Sequence, residues 1–247
     1  MAPIACPQIK VCGLTTPGQA AACAEMGADA IGLVFYPPSP RHVDAEQARA
    51  IVRSLPPHVP AIGVLVDPQW PLLASLIGHC GLKGVQLHGS EPPELVIRLQ
   101  QTFGIMVIKG LFGSKTPGFN EAKRYAPTAF LLECGRGALP GGNARAWRWG
   151  SAQNFAREHI SILAGGLTPD NVAQAVAACR PDAVDASSGL EAAPGRKDLD
   201  KVARFIENVR NCADLYRDPP KPIHPIFSRS TVDHPSSRRP PACLSSD

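Results

Sequence analysis

Eight short apolar runs alternate with amphipathic stretches along most of the chain, and few architectures accept that rhythm. The runs fall at residues 8–12, 30–35, 61–66, 84–87, 106–110, 129–133, 160–164 and 183–185, and predict strands. Helical candidates lie between and after them, at 17–27, 44–55, 69–80, 91–103, 118–125, 150–157, 169–178 and 198–212. The runs are apolar almost throughout, as in parallel strands covered by helices on both faces. Thr168-Pro169-Asp170 predicts a helix start: a capping hydroxyl, proline at the first helical position, an acid in the first turn. The last candidate carries Leu199, Val202, Ala203, Ile206 and Val209 on one face. The candidate at 118–125 is the poorest helix, because Pro117, Gly118 and Pro127 crowd it. With 247 residues and 44% hydrophobic content, the chain buries one large core. The expected fold is α/β: a single (β/α)8 TIM barrel over residues 1–214.

Residues 215–247 read differently. From Pro219 onward they hold seven of the 26 prolines, many serines and arginines, and no hydrophobic periodicity. Such a segment lacks the apolar side chains to offset ordering entropy, so a disordered tail is expected. Deleting residues 219–247 is expected to leave barrel stability and catalysis unchanged. A formal charge of +4, with no dense basic run, suits an anionic metabolite and argues against nucleic acid. The eight cysteines are scattered without a CxxC pair or zinc spacing, and read as reduced thiols. No apolar run reaches the ~20 residues that span a bilayer, and the N-terminus lacks a signal-peptide pattern. A cytoplasmic chain, without a membrane partner, is expected.

Two glycine turns carry the first functional signal. Ala164-Gly165-Gly166-Leu167 follows the seventh run, and Ala186-Ser187-Ser188-Gly189 follows the eighth. Each delivers bare backbone N–H groups toward a helix start, where amides and the helix dipole favour an anion. Turns after strands 7 and 8 are where many barrels hold a substrate phosphate, so a phosphorylated small molecule is the expected partner. Functional side chains in barrels come from the C-terminal ends of strands, which filters the remaining candidates. Cys12 ends the first strand, a thiol available as a base once neighbouring charges stabilise its thiolate. Arg41, in a proline-stiffened loop, offers a planar fork to a carboxylate or phosphate. Glu133 ends the sixth run as a proton donor, with a structural bridge to Lys109 the competing reading. Asp185 ends the eighth, placed to orient a ribose hydroxyl or to tie down the loop. His88 reads as a loop anchor, and Trp147 and Trp149 as packing under the helix at 150–157. No metal constellation stands out, and no cofactor is expected.

Taken in order, several strings resemble the phosphoribosylanthranilate isomerase family of tryptophan biosynthesis. They are Lys10-Val-Cys12-Gly-Leu-Thr15, Gly32-Leu-Val-Phe35, Ser39-Pro-Arg41-His-Val43, Gly63-Val-Leu-Val66 and Val85-Gln-Leu-His-Gly89. Leu163-Ala-Gly-Gly-Leu167-Thr-Pro-Asp-Asn-Val172, Val184-Asp-Ala-Ser-Ser-Gly189-Leu-Glu191 and Pro194-Gly195-Arg-Lys197-Asp198 complete the set. The resemblance implies a cofactor-free Amadori rearrangement of N-(5′-phosphoribosyl)anthranilate by general acid–base catalysis, in a monomer or homodimer. It implies Cys12 as the general base and Glu133 as the general acid. It further implies Arg41 facing the anthranilate carboxylate, Asp185 beside the ribose, and Gly166, Ser188 and Gly189 in the phosphate cradle, to which the turns add Gly165 and Ser187.

The departures cluster after strand 6. The family's aspartate–threonine pair is Glu133-Cys134, its glycine-rich turn is Gly141-Gly142-Asn143-Ala144, and its phenylalanine–aspartate–tryptophan is Trp147-Arg148-Trp149. Two other readings are compatible with the residues alone. One is a sugar-phosphate lyase or synthase using Lys10, Lys109 and Glu133; the other is a non-catalytic barrel that binds phosphometabolites.

Overall fold

The computed structural model describes residues 6–135, 146–217 and 222–227. Its strands are β1 (Gln8–Cys12), β2 (Ala30–Val34), β3 (Ala61–Leu65), β4 (Gly84–Leu87), β5 (Met106–Phe112), β6 (Ala129–Glu133), β7 (Ser161–Leu163) and β8 (Ala183–Ala186). All eight are parallel and close in sequence order into one barrel, as expected. The seam is the β1–β8 pairing, which sets Lys10 opposite Asp185.

The helices α1 (Pro17–Glu25), α2 (Ala45–Ser54), α3 (Trp70–Cys80), α4 (Pro93–Phe103), α5 (Gln153–Glu158), α6 (Val172–Cys179) and α7 (Leu199–Arg210) belong to the outer layer. A capping box starts α2: Asp44 accepts from Gln47 N while the Gln47 side chain accepts from Asp44 N. The crowded segment after β5 forms only a 3-10 helix, Phe119–Arg124. The expected start at Thr168 does not hold. Asn171 accepts from Thr168 N and donates to the Gly166 carbonyl, closing residues 166–171 into a side-chain-held turn, so α6 begins at Val172. On α7 the buried stripe is Val202, Phe205, Ile206 and Val209, with Ala203 exposed, because the bulkier Phe205 turns inward.

Strand parity divides the core. Ile9, Val11, Leu33, Val85, Val107 and Leu132 point outward to the helices. Ala30, Ile62, Ile108, Leu131, Ile162 and Ala183 belong to a separate cluster that fills the barrel interior. Parts of the expected disordered tail join this core. Ala213–Tyr216 is a 3-10 turn whose Tyr216 hydroxyl donates to the Pro181 carbonyl. Residues 222–227 pass under the N-terminal end of the barrel, where Ile226 and Phe227 join the interior cluster. Their amides donate to Gln8 Oε1 at 2.6 and 3.1 Å, and His224 N and Nδ1 both meet Asp182 Oδ1 at 3.1 Å. Isoleucine and phenylalanine among the prolines supply the apolar area that the composition of the segment as a whole conceals. Residues 218–221 and 228–247 lie outside the described residues.

Candidate active site

Parity in the strands also builds the site. Residues 10 and 12 of β1, 133 of β6 and 185 of β8 share the inward face, with residues 86 and 88 along β4 and just beyond it. Lys10, Cys12, Gln86, His88, Glu133 and Asp185 are all buried there. Lys10 Nζ donates to Asp185 Oδ1 at 2.8 Å. Burial alone would lower the Lys10 ammonium, but the Asp185 carboxylate and the Cys12 thiol more than offset it and raise its pKa. Burial pushes the Cys12 thiol up, against the opposing pull of Lys10 and Lys197. Gly32 keeps room for that sulfur, since a methyl group built there would lie 2.6 Å from Cys12 Sγ.

Glu133 does not pair with Lys109. Its Oε2 lies 3.0 Å from His88 Nε2, and Gln86 Nε2 lies 3.1 Å from His88 Nδ1. A neutral His88 with its proton on Nε2 would accept from the Gln86 amide at Nδ1 and donate to Glu133 Oε2; Glu133 Oε1 has no hydrogen-bond partner among the described residues. Lys109 has the opposite parity and donates to Glu91 Oε2 and the Gly89 carbonyl, each at 2.7 Å. The lysine–carboxylate grouping of Lys10, Lys109 and Glu133 is therefore not assembled.

The two glycine turns meet as expected. Gly165, Gly166, Ser187, Ser188 and Gly189 line one cavity together with Glu133 and Asp185. Gly165 and Gly166 have φ of +88° and +69°, a region that side chains with a Cβ rarely adopt. Gly189 is required for a different reason: a Cβ there would collide with the Leu167 carbonyl oxygen, so the second turn rests directly on the first. Ser187 Oγ is buried without a hydrogen-bond partner among the described residues.

Arg41 reaches the same mouth, where Gly13, directly after Cys12, is flanked by the Arg41 side chain and Ser187 Oγ. Its fork is partly engaged. Nε and Nη2 donate to the two Glu191 oxygens at 2.7 Å each. Lys197 Nζ donates to the same carboxylate and to the Ser187 carbonyl, both at 3.0 Å. Burial would raise the Glu191 carboxyl, but hydrogen bonds from Arg41 and the charge of Lys197 hold it below the usual carboxylate range. The triad of two cations and one anion keeps a net positive charge beside the cradle.

Trp147 and Trp149 do more than pack near α5. Their indole N–H groups donate to the Ala164 and Gly165 carbonyls, at 2.9 and 3.3 Å. The turn at 141–144 lies outside the described residues. Among the described residues no group of three or more His, Cys, Asp or Glu side chains is placed to hold a metal ion, and no helix is long and apolar enough to cross a membrane.

A (β/α)8 barrel with paired glycine turns after β7 and β8, and with a thiol and a carboxyl group in the same mouth, falls in the class of barrels built around a phosphorylated small molecule. Comparison with known proteins narrows the class. The family model described as N-(5'phosphoribosyl)anthranilate (PRA) isomerase matches residues 9–208, and the chain belongs to that family. It is 49% identical over 202 residues to N-(5'-phosphoribosyl)anthranilate isomerase of Desulfatibacillum aliphaticivorans, covering 82% of this chain and 92% of that protein. Phosphoribosyl anthranilate isomerase of Thermotoga maritima superposes with a TM-score of 0.75 at 36% identity, over 83% of this chain and 99% of that one. Another similar structure is a phosphoribosyl anthranilate isomerase in complex with reduced 1-(o-carboxyphenylamino)-1-deoxyribulose 5-phosphate. Its TM-score is 0.72 at 35% identity, over 83% of this chain and 99% of that one.

Proposed function

We propose that this chain isomerises N-(5′-phosphoribosyl)anthranilate to 1-(2-carboxyphenylamino)-1-deoxyribulose 5-phosphate in tryptophan biosynthesis, with Cys12 as base and Glu133 as acid. The observation that carries this reading is the inward parity of Cys12, Glu133 and Asp185 below one glycine cradle, in a chain of that family. The substrate phosphate lies against the turns at Gly165, Gly166, Ser187, Ser188 and Gly189.

Glu133 Oε1 gives its proton to the furanose ring oxygen. The C1′–O bond breaks toward that oxygen, and the anilino nitrogen lone pair forms the C1′=N bond of a protonated Schiff base. The Cys12 thiolate then takes the C2′ proton, and the C2′–H electron pair forms C1′=C2′ while the C1′=N pair returns to nitrogen. Tautomerisation of the resulting enaminol, with a proton to C1′, leaves the ketone at C2′. His88, which the sequence reading set aside, belongs to this machinery by its donation to Glu133 Oε2, which directs the acid proton to Oε1. Lys10 and Lys197 pull toward the thiolate, against the burial and the Asp185 charge that leave the thiol raised. Arg41, steadied by Glu191, presents its remaining Nη1 toward the anthranilate carboxylate.

The chain works as a cytoplasmic enzyme, alone or as a homodimer. In support, the seven described cysteines are unbridged, and one similar structure is described as monomers generated from a dimeric isomerase of Thermotoga maritima. The test is loss of anthranilate-type fluorescence when the full-length protein meets phosphoribosylanthranilate generated in situ. Turnover above the uncatalysed background is expected. None, from folded protein, would overturn the proposal.

A further inference from the structure

Two of the departures from the family pattern, Glu133 for aspartate and Trp147 for phenylalanine, meet over a single glycine. A methyl group built on Gly165 would lie 3.0 Å from Trp147 Nε1 and 3.1 Å from Glu133 Cγ. Glu133 thus packs its Cγ methylene, where aspartate would have its carboxyl carbon, against the turn after β7 that supplies half of the cradle, and carries its carboxyl group one bond further out. From the other side the Trp147 indole N–H donates to the Ala164 carbonyl at 2.9 Å, a bond that phenylalanine cannot make. The indole is itself braced, its ring centroid 5.9 Å from that of Phe119. Gly165 and Gly166 both have positive φ, so their amide directions depend on how the preceding carbonyl is held. In the described structure neither amide donates to an acceptor within the protein.

We propose that Trp147 is a positioning residue for the phosphate, coupled to Glu133: its indole N–H anchors the Ala164 carbonyl and keeps the Gly165 amide of the same peptide aimed at the oxyanion, while Trp149 holds the next peptide through the Gly165 carbonyl and the glutamate occupies the space beside the turn. This rests on the reading of the cradle as a phosphate site. Trp147 touches no reacting atom. It acts through the backbone of residues 164–165, and its effect falls on the phosphorylated end of the ligand.

The test is a double-mutant cycle with calorimetric binding as the readout. The full-length chain, Trp147→Phe, Glu133→Asp and the double variant are titrated with reduced 1-(o-carboxyphenylamino)-1-deoxyribulose 5-phosphate and with its dephosphorylated form. Loss of one neutral hydrogen bond predicts roughly three- to tenfold weaker binding of the phosphorylated ligand by Trp147→Phe. The dephosphorylated ligand should be unaffected, and the loss should shrink in the Glu133→Asp background. In kinetics, KM should rise by a larger factor than kcat changes. Equal affinities of wild type and Trp147→Phe for the phosphorylated ligand would overturn the inference, as would the same loss for both ligands or in both backgrounds. Failure of the wild type to bind the phosphorylated ligand would remove the cradle reading, and this inference with it.

Discussion

Replacing Phe227 with alanine should destabilise the barrel from a position outside the segment matched by the family model, which ends at residue 208. Phe227 is 3% exposed and Ile226 2%, both within the interior cluster at the N-terminal end. A fully buried Phe→Ala change in a core ordinarily costs about 3–5 kcal/mol. Here the loss has a ceiling, because the segment releases once its net docking free energy is gone. That net value is small. Burial of Ile223, Ile226 and Phe227 and the bonds to Gln8 and Asp182 work against ~1–2 kcal/mol of backbone entropy for each ordered residue. We expect a loss of about 1–3 kcal/mol for Phe227→Ala, which in a domain of this size moves Tm down by about 2–10 °C. Truncation after Arg217 should cost no more than Ile226→Ala and Phe227→Ala together, since both reach the same ceiling. Differential scanning calorimetry and urea midpoints check this, with kcat/KM unaltered because the cradle is at the other end of the barrel. An unchanged Tm in Phe227→Ala and in the truncated chain would refute the docking and restore the expectation drawn from composition.

Further expectations concern the mouth. Glu191 has a depressed folded pKa, so its contribution is fully present above the unfolded carboxylate value of ~4.3 and is lost as pH falls through the folded value. The gap in urea midpoint between wild type and Glu191→Gln should therefore hold from pH 7 to pH 5 and narrow below; a constant gap down to pH 3 would contradict the pairing with Arg41 and Lys197. Burial raises the Cys12 thiol, so alkylation of Cys12 by iodoacetamide, read by peptide mass spectrometry, should accelerate with rising pH. Lys197→Met should move that rise to higher pH, and an unmoved profile would count against the lysine as a thiolate partner. Gly189→Ala should weaken binding of the phosphorylated ligand at least tenfold, because a Cβ there displaces the Leu167 carbonyl and the turn with it; unaltered binding would place the phosphate elsewhere.

Much of this was legible in the sequence because near-continuous apolar runs at regular spacing admit few packings. Strand positions and the meeting of the two glycine turns followed from it, and the places of Cys12, Glu133 and Asp185 in the barrel mouth followed from lying at strand ends. Parity was the unused signal. Counting by twos along each strand puts Lys109 on the outer face, among the helices, and His88 on the same inward face as Gln86. That count would have removed the lysine–carboxylate reading and admitted the histidine. The Glu191 clamp on Arg41 was not legible, since it joins residues 150 positions apart through a loop conformation. Nor was the docking of residues 222–227, where two apolar side chains outweigh the average character of a proline-rich segment. The late start of α6 has the same origin: Asn171 bonds across its own turn and overrides the local signal of Thr168-Pro169.

Turnover of phosphoribosylanthranilate by Glu133→Gln tests most directly whether Glu133 serves as the acid in a mouth where Cys12 is the base. Glutamine keeps the shape and the contact with His88 but has no proton to give to the ring oxygen. A loss of kcat on the order of 10²–10⁴-fold is expected for a general acid, with the affinity for the reduced product analogue largely kept. Near-wild-type turnover by Glu133→Gln would contradict the assignment and move the acid to another group in the mouth.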